Sequence, residues 1–587
     1  MNAAPLRILL LSHAFNGLTQ RLFCTLREAG HTVSVELDIA DAVTEEAVAL
    51  FRPDVLIAPF LKRRIPESVW RAVVCLVVHP GPPGDRGPSA LDHALLQGRH
   101  DWGVTVLQAE ADFDAGPVWA WRAIAIPPGS TKAGLYRREV TDAGVLCVHQ
   151  ALLQFQRGRH APLATPALPP HDGHWQPLVT REQRQIDWAL LDTAEALRRI
   201  RSADGAPGAP ALLCGHACRL FDAHEASAAT LQRAPAGTPG SAVARRGPAL
   251  LVRTRDAALW IGHVRLAEQL GMSDSPSPLK LPATLALADA AAGLPELEVP
   301  LMRDPNEWDE LRYDEFGDEA LRVGWLAFDF HNGALSERQA ARLLQAIEFA
   351  RSRPTRVLVL AGGRDFFSNG IHLHEIEAAA TRPGDSAADA SWRHINAIDD
   401  VALATLMLTD RLTIAAMQGN AGAGGCFLAL AADQVWAHEA VLLNPHYKNM
   451  GNLHGSEYWT HLLPLRVGEA GARALMQGRL PISATQAARM GLIDACIAAD
   501  AHSFVPQVLR RALALAAAPD WAARVAAKAL RRAQQEAIRP LADHRSAELA
   551  RMHRNFYGFD PSYHVARHHF VHRKPHAWTP RHLAIHR

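Results

Sequence analysis

A histidine that ends an apolar run and turns at once through proline and glycine, His79-Pro80-Gly81, can bring an imidazole to the edge of a sheet. About one β-α unit later, Asp112-Phe113-Asp114-Ala115-Gly116 supplies a carboxylate able to orient that ring or to take part in proton transfer. The pair suits acyl transfer, where a cationic imidazole stabilises a tetrahedral oxyanion. A second set lies in the C-terminal half: Leu360 to Ile371, ending Phe367-Ser368-Asn369-Gly370-Ile371, and Gly419-Asn420-Ala421-Gly422-Ala423-Gly424-Gly425. Two backbone N–H groups that converge on a thioester carbonyl need such segments, because a glycine-rich turn opening a helix lets the backbone approach with its dipole aimed at the oxygen. Taken singly, a histidine after a strand or a glycine run is more often structural.

The elements that must position these groups follow from periodicity. Short apolar runs at Ile8 to Leu11, Val33 to Leu37, Val55 to Ala58, Val73 to Val78 and Gly103 to Gln108 alternate with helical stretches such as Gln20 to Ala29 and Ser89 to Leu96. That alternation predicts a parallel α/β sheet, with ligands beyond the C-terminal ends of its strands. From about Pro170 the pattern changes to one amphipathic helix, Thr193 to Arg201, and short strands such as Ala211 to Leu213 and Ala258 to Ile261, which predict a small β-barrel module. Ala234 to Gly240 and Ser273 to Pro282 read as linkers, and Arg382 to Ala390 as a flexible loop. Trp325 to Phe330, Glu337 to Arg351 and Arg356 to Ala361 begin a second α/β domain with a helical tail. The expected domains are residues 1–168, 169–298 and 299–587.

With 587 residues, 48% of them hydrophobic and 21% charged, the chain can bury several cores. Lys plus Arg number 61 against 60 Asp plus Glu, so bulk charge argues for neither a nucleic-acid nor an anionic-membrane partner. No apolar run approaches the roughly 20 residues of a membrane span, Leu6 to Leu11 is shorter than a signal-peptide core, and seven scattered cysteines suggest no disulfide framework. A cytoplasmic location is expected. His564, His568, His569, His572 and His576, like Cys214-Gly215-His216-Ala217-Cys218, complete no four-ligand spacing, so they read as solvated helix histidines and a hairpin turn, and no metal is expected.

The ordered set Val77-Val78-His79-Pro80-Gly81, Gly84-Asp85-Arg86-Gly87, Trp102-Gly103-Val104-Thr105 and Asp112 to Gly116, followed by Gln185-Ile186-Asp187-Trp188 and Ile200-Arg201, resembles the formyltransferases that use 10-formyltetrahydrofolate. This resemblance implies a Rossmann-like domain with an OB-like barrel behind it, and catalytic roles for His79 and Asp114. Where that family has a catalytic asparagine, this chain has Val77. Asn16 or Gln20 is the expected substitute donor, and a thiol, being more nucleophilic than an amine, needs less help.

Residues 320 to 500 resemble the crotonase, or enoyl-CoA hydratase, superfamily through Leu360 to Ile371, Gly419 to Cys426 leading into Ala429 to Asp433, and Pro481 to Ile493. The resemblance implies oxyanion donors at the amides of Ile371 and Gly424. The two glutamates that manage water in hydratases are Phe427 and His446 here, so hydration of a double bond is expected to be lost. Asn444, His446, Tyr447, Ser456, Glu457 and Tyr458 remain as pocket residues, with Tyr447 the first acid-base candidate and Glu457 and Tyr458 behind it. Cofactor contacts are expected from Asn16, Gln20, Arg86 and Asp112 in the first half and from Asn369, Gly370, Gly425, Arg551 and Arg554 in the second, with Arg545 a further candidate for phosphate contact.

The order formyltransferase, barrel, crotonase, with the tail Phe556 to Pro561 and Trp578 to His582, resembles the HypX/HoxX family of hydrogenase maturation factors along nearly the whole chain. That resemblance implies production of carbon monoxide for the iron of a nickel-iron hydrogenase, with 10-formyltetrahydrofolate as formyl donor, coenzyme A as carrier and other maturation proteins as partners. Formyl-CoA has no α-carbon, which removes the enolate chemistry usual in crotonases. Release of formate by hydrolysis and a non-catalytic CoA-binding docking module are the alternatives.

Overall fold

The computed structural model describes residues 4–158, 162, 174–267, 278–319, 321–497 and 502–587. They fall into two compact units, Met1–Leu297 with Pro575–Arg587, and Glu298–Lys574. No described helix is long and apolar enough to cross a membrane.

The first unit opens with β1 (Arg7–Ser12), α1 (Gly17–Glu28), β2 (Thr32–Leu37), β3 (Val55–Phe60), β4 (Val74–His79), α2 (Ala90–Leu96), β5 (Asp101–Gln108) and β6 (Val118–Ala125). The sheet order is β2-β1-β3-β4-β5-β6. The first four strands are parallel; β1, Arg-Ile-Leu-Leu-Leu-Ser, is buried from Ile8 onward, as a strand covered on both faces must be. Gly103 to Gln108, expected to be parallel, runs antiparallel to β4. The connection through α2 returns the chain beside β4, and Trp102 Nε1 donates to Pro80 O (2.9 Å) and Thr105 Oγ1 to Gly81 O (2.7 Å), fastening β5 to the segment just after His79.

The module that follows packs α3 (Thr193–Ala203) on an antiparallel sheet of β7 (Ala209–Leu213), β8 (His216–Glu225), β9 (Ala242–Arg246), β10 (Ala249–Arg253), β11 (Ala258–Leu266) and β12 (Leu281–Pro282), ordered β7-β8-β11-β10-β9 with β12 on β11. Asp192 caps α3 through Glu195 N–H, and Ala196, Leu197, Ile200 and Ala203 face the sheet. Cys214 and Gly215, both at positive φ, form the two-residue hairpin between β7 and β8, which accounts for the cysteine spacing. Of the expected linker Ser273 to Pro282, residues 273–277 lie outside the described ones, and Leu281–Pro282 is a strand rather than a linker.

Pro575–Arg587, expected to close the second domain, belongs to the first unit. The physical reason lies in β2, an edge strand whose inward Glu36 has no surface exposed. Leu583 O accepts from Val35 N–H (3.0 Å), Thr579 Oγ1 accepts from Leu37 N–H (2.9 Å), and Thr579, His586 and Arg587 all donate to the Glu36 carboxylate. A bare edge and a buried charge are both unfavourable, and one segment satisfies both.

The second unit is built on β13 (Leu311–Phe316), β14 (Val323–Phe328), α4 (Glu337–Ser352), β15 (Val357–Gly362), α5 (Leu373–Ala379), α6 (Ala387–Leu406), β16 (Leu412–Met417), α7 (Gly424–Leu430), β17 (Gln434–His438), α8 (Trp459–Gly478) and β18 (Ala495–Ile497), followed by a helical tail that includes α9 (Leu541–Tyr557) and α10 (Ser562–Val571). The sheet order is β13 to β18 in sequence, parallel except for β13. Short strands Phe366–Ser368, Asn420–Gly422, Leu442–Asn444 and Ile482–Ser483 make a second sheet, and Gly370–Ile371 pairs with Ala334–Leu335. Arg382 to Ala390 is not a loop throughout: Ser386 caps α6 through Asp389 N–H, so the helix starts at Ala387.

Candidate active sites

In the first unit His79 ends β4 and is buried rather than exposed at the sheet edge. Its Nε2 lies 2.8 Å from Asp85 Oδ2, and its Nδ1 faces Asp114 Oδ1 at 3.5 Å. Asp85 is in turn held by Gln176 Nε2 (2.7 Å), and Asp114 by Gly87 N–H (3.1 Å). A side chain at Gly81 would overlap both the His79 ring and the Asp85 carboxylate, so the glycine is what allows the turn to close over the imidazole. Asp114 sits at φ 52°, in the left-handed region that aspartate tolerates better than most residues. The result is an imidazole between two carboxylates, arranged to move a proton and to present positive charge to an acyl oxygen.

The other expected contacts of this half divide. Asn16 caps α1, accepting from Thr19 N–H, with its amide nitrogen 3.4 Å from Tyr136 Oη. Gln20 Nε2 donates to Phe15 O (2.8 Å), so both side chains serve the first β-α turn, and neither is shown to replace the missing amide at Val77. Arg86 and Asp112 are exposed, and Arg86 pairs through its backbone with Trp175.

In the second unit the two glycine segments meet: a Cβ placed on Gly370 would lie 3.3 Å from Gly424 N. Gly424 opens α7, where the first N–H groups have no partner within the helix. Gly370 is at φ 77°, and its N–H donates to Ser368 Oγ (3.1 Å), which turns the chain before Ile371. Asn369 is spent on the frame, donating to Asn332 O (2.8 Å), and Gly425 packs against the Ser368 carbonyl with no room for a side chain.

A carboxyl group stands directly at this junction. A methyl on Gly424 would overlap Glu457 Oε1, and Tyr447 Oη donates to Glu457 Oε2. Tyr447 stacks on Phe427 with ring centroids 5.5 Å apart and planes at 13°, so the phenylalanine in place of a hydratase glutamate supports the tyrosine. Glu457 and Tyr458 both have φ 59°. This unusual pair of left-handed residues is fixed from below, Glu457 N–H by Asp399 Oδ1 (2.7 Å) and Tyr458 N–H by Glu548 Oε2 (3.0 Å). Ser456 Oγ also bonds Asp399, and Thr460 bonds Glu548.

Burial drives the electrostatics. It raises Glu457 well above the usual carboxylate range, with the charge of Asp399 adding to the effect. Burial likewise raises Glu548 to about 8 and Asp399 to about 6, the latter held lower by Ser456 and the Glu457 amide. Burial and Glu457 raise Tyr447 well above the ordinary phenol. Burial and the neighbouring carboxyl of Asp399 thus both favour the protonated form of Glu457 beside Gly424.

Burial raises the Tyr458 phenol to about 12, with the Arg545 charge opposing the shift. His446 is buried one position before Tyr447, with its backbone N–H on Asn444 O (2.8 Å). Arg545, a candidate phosphate contact, instead donates to Asp400 (2.6 Å) and faces Asp399 at 3.7 Å. Arg551 and Arg554 are exposed on α9. Sequence reasoning assigned no role to Asp85, Asp399 or Glu548. The signal for the last two is their register: Asp399 follows Ile395 and Ile398 on the buried face of α6, and Glu548 lies between His544 and Met552 on that of α9.

Comparison with known proteins agrees with this architecture. Family models match as Formyl transferase over residues 33–154, Formyl transferase, C-terminal domain over 178–274, and Enoyl-CoA hydratase/isomerase over 329–581. The chain is 31% identical over 179 residues to methionyl-tRNA formyltransferase of Nitrosomonas europaea, covering 30% of this chain and 54% of that one. It superposes with a TM-score of 0.92 on HypX from Aquifex aeolicus in complex with tetrahydrofolic acid, at 43% identity over 100% of this chain and 99% of that one. It is 50% identical to hydrogenase maturation factor HoxX of Bradyrhizobium diazoefficiens, over 99% of this chain and 97% of the other. The chain belongs to the HypX/HoxX family of hydrogenase maturation factors.

Proposed function

We propose that the protein makes carbon monoxide in two steps: formyl transfer from 10-formyltetrahydrofolate to coenzyme A in the first unit, then decarbonylation of formyl-CoA in the second. The observation that carries the reading is the Tyr447–Glu457 pair pressed against Gly424, with Phe427 where a hydratase has a water-handling glutamate.

In the first step the CoA sulfur attacks the formyl carbon, His79 stabilises the oxyanion of the tetrahedral intermediate, and Asp114 takes the thiol proton and returns it to the folate nitrogen as the C–N bond breaks. Bound folate is known for the related Aquifex aeolicus protein, and the formyltransferase match supports the same donor here. Val77 offers no amide to the oxyanion, a deficit that a thiolate nucleophile tolerates better than an amine.

In the second step the amides of Ile371 and Gly424 polarise the thioester carbonyl. Glu457, its far oxygen fixed by Tyr447, takes the formyl proton; the C–S electron pair leaves with sulfur, CO is freed, and the proton returns to the thiolate to give CoA. No redox partner is needed, since HC(O)S-CoA becomes CO and HS-CoA. The CO would serve the iron of a nickel-iron hydrogenase, handed on with other maturation proteins, and the protein would act in the cytoplasm.

Purified protein incubated with 10-formyltetrahydrofolate and CoA, with released gas trapped by deoxyhaemoglobin and formate assayed in parallel, tests the reading. CoA-dependent CO supports it. Formate without CO indicates a thioesterase, and neither product indicates a docking role. Gly424→Ala, which must displace the Glu457 carboxyl, should stop CO while leaving formyl transfer intact.

A further inference from the structure

The C-terminal histidines are not equivalent. His568 and His572, one turn apart on α10 and its C-cap, both point at Glu377 on α5: His568 Nδ1 lies 2.8 Å and His572 Nε2 3.1 Å from Glu377 Oε1. His569, between them in sequence, is exposed. The three candidate donor atoms lie within 4.8 Å of one another.

We propose that Glu377, His568 and His572 bind one late first-row divalent ion of the zinc or nickel type. Two imidazoles and a single carboxylate suit such borderline ions and not magnesium or calcium, which require mostly oxygen ligands. With metal–ligand distances near 2.0 to 2.1 Å, tetrahedral donors stand about 3.4 Å apart, so the contacts to Oε1, now 3.1 Å from His572 and 2.8 Å from His568, need to open by about 0.3 and 0.6 Å. On binding, each ring presents the nitrogen that now faces Oε1, with its proton moved to the other nitrogen. Glu377 Oε2 is held by Arg567 Nε (2.7 Å), and Arg567 Nη1 donates to His564 Nδ1 (2.7 Å), which fixes the carboxylate from its far side and leaves Oε1 for the ion. The His568 side chain is 44% exposed while those of Glu377 and His572 are 10% and 6% exposed, so the site is open on one side, where water completes the coordination.

The ion would staple α10 to α5, the helix that begins two residues after Ile371. The role is independent of the reaction assigned above.

Full-length untagged protein, stripped with chelator and desalted, is titrated calorimetrically with zinc, nickel or magnesium chloride, and metal content is measured after gel filtration. Four proteins are compared: wild type, His569→Ala, His568→Ala and the double variant His568→Ala/His572→Ala. Wild type and His569→Ala should retain one equivalent of zinc or nickel that the double variant lacks, and magnesium should not bind. His568→Ala, altered at a half-exposed ring and checked by circular dichroism, should bind at least about tenfold more weakly, because even outer partners of a metal ligand are worth about 10- to 100-fold. Equal metal content in wild type and the double variant, equal loss in His569→Ala, or no binding by wild type overturns the proposal.

Discussion

The backbone N–H of Glu457 donates to Asp399 Oδ1 at 2.7 Å, joining two buried carboxyl groups through a single peptide unit. The donors favour Asp399, which also receives Ser456 Oγ and faces Arg545. Asp399 therefore ionises first, at about 6, and its charge helps to hold the proton on Glu457.

A pH dependence follows. If Glu457 must be ionised to accept the formyl proton, single-turnover CO release from supplied formyl-CoA should rise with pH over a range well above that of an ordinary carboxylate. Asp399→Asn removes the neighbouring charge, so Glu457 should ionise more readily and the rising limb should move to lower pH. A profile that stays in place or moves upward would remove Glu457 as the base.

Tyr447→Phe and Glu457→Gln should each lower CO release by about 100-fold or more, the range of a positioned acid-base group. Formyl-CoA should still accumulate from 10-formyltetrahydrofolate and CoA, as followed by chromatography. Undiminished CO from either variant eliminates that residue from the mechanism.

The reverse separation is expected in the first unit. His79→Ala should cut formyl-CoA formation by about 100-fold, while CO release from added formyl-CoA stays at the wild-type rate. Asp85→Asn weakens the hydrogen bond to His79 Nε2 and should produce a smaller loss of the same kind. Loss of both activities in either variant would point to misfolding, which a melting curve detects.

Glu548 makes stability depend on pH. An unfolded glutamate ionises near 4.3, whereas this one keeps its proton until about 8. Between those values the unfolded chain binds fewer protons, so stability falls as pH rises, by about 1.4 kcal/mol per pH unit from this group. Glu548→Gln should flatten the dependence of the denaturation midpoint between pH 5.5 and 8; an unchanged slope would show that the group titrates normally.

The parts of this molecule most legible in the sequence are those with local causes. The buried strands, the capped amphipathic helix after Asp192, and the glycine segments around Gly370 and Gly424 all announce themselves by period or by backbone freedom. Tyr447 and Glu457 were named as candidates because Phe427 and His446 stand where the resemblance implies hydratase glutamates, and the structure brings the two side chains together beside Gly424. The antiparallel turn of β5 was not legible, because it depends on the bonds of Trp102 and Thr105 to the chain just after His79. Nor were the supports: Asp399 lies 57 positions from Ser456, and Glu548 lies 88 from Thr460, so only the tertiary fold brings them beneath the left-handed pair. Arg545 was named as a candidate phosphate contact, and its ion pairs with Asp399 and Asp400, about 145 positions away, were not visible in the sequence.

The return of Pro575–Arg587 to β2 makes the second unit an insertion within the first: Leu37 and Thr579 bond across 542 positions. During synthesis the β2 edge and the Glu36 carboxylate must therefore wait for their partners until everything between has left the ribosome. A chain interrupted anywhere in the crotonase-like region would carry an N-terminal half with an open strand edge and an unmatched buried charge, a form suited to recognition and removal by quality control. The topology thus links the durability of the formyltransferase-like half to completion of the crotonase-like half.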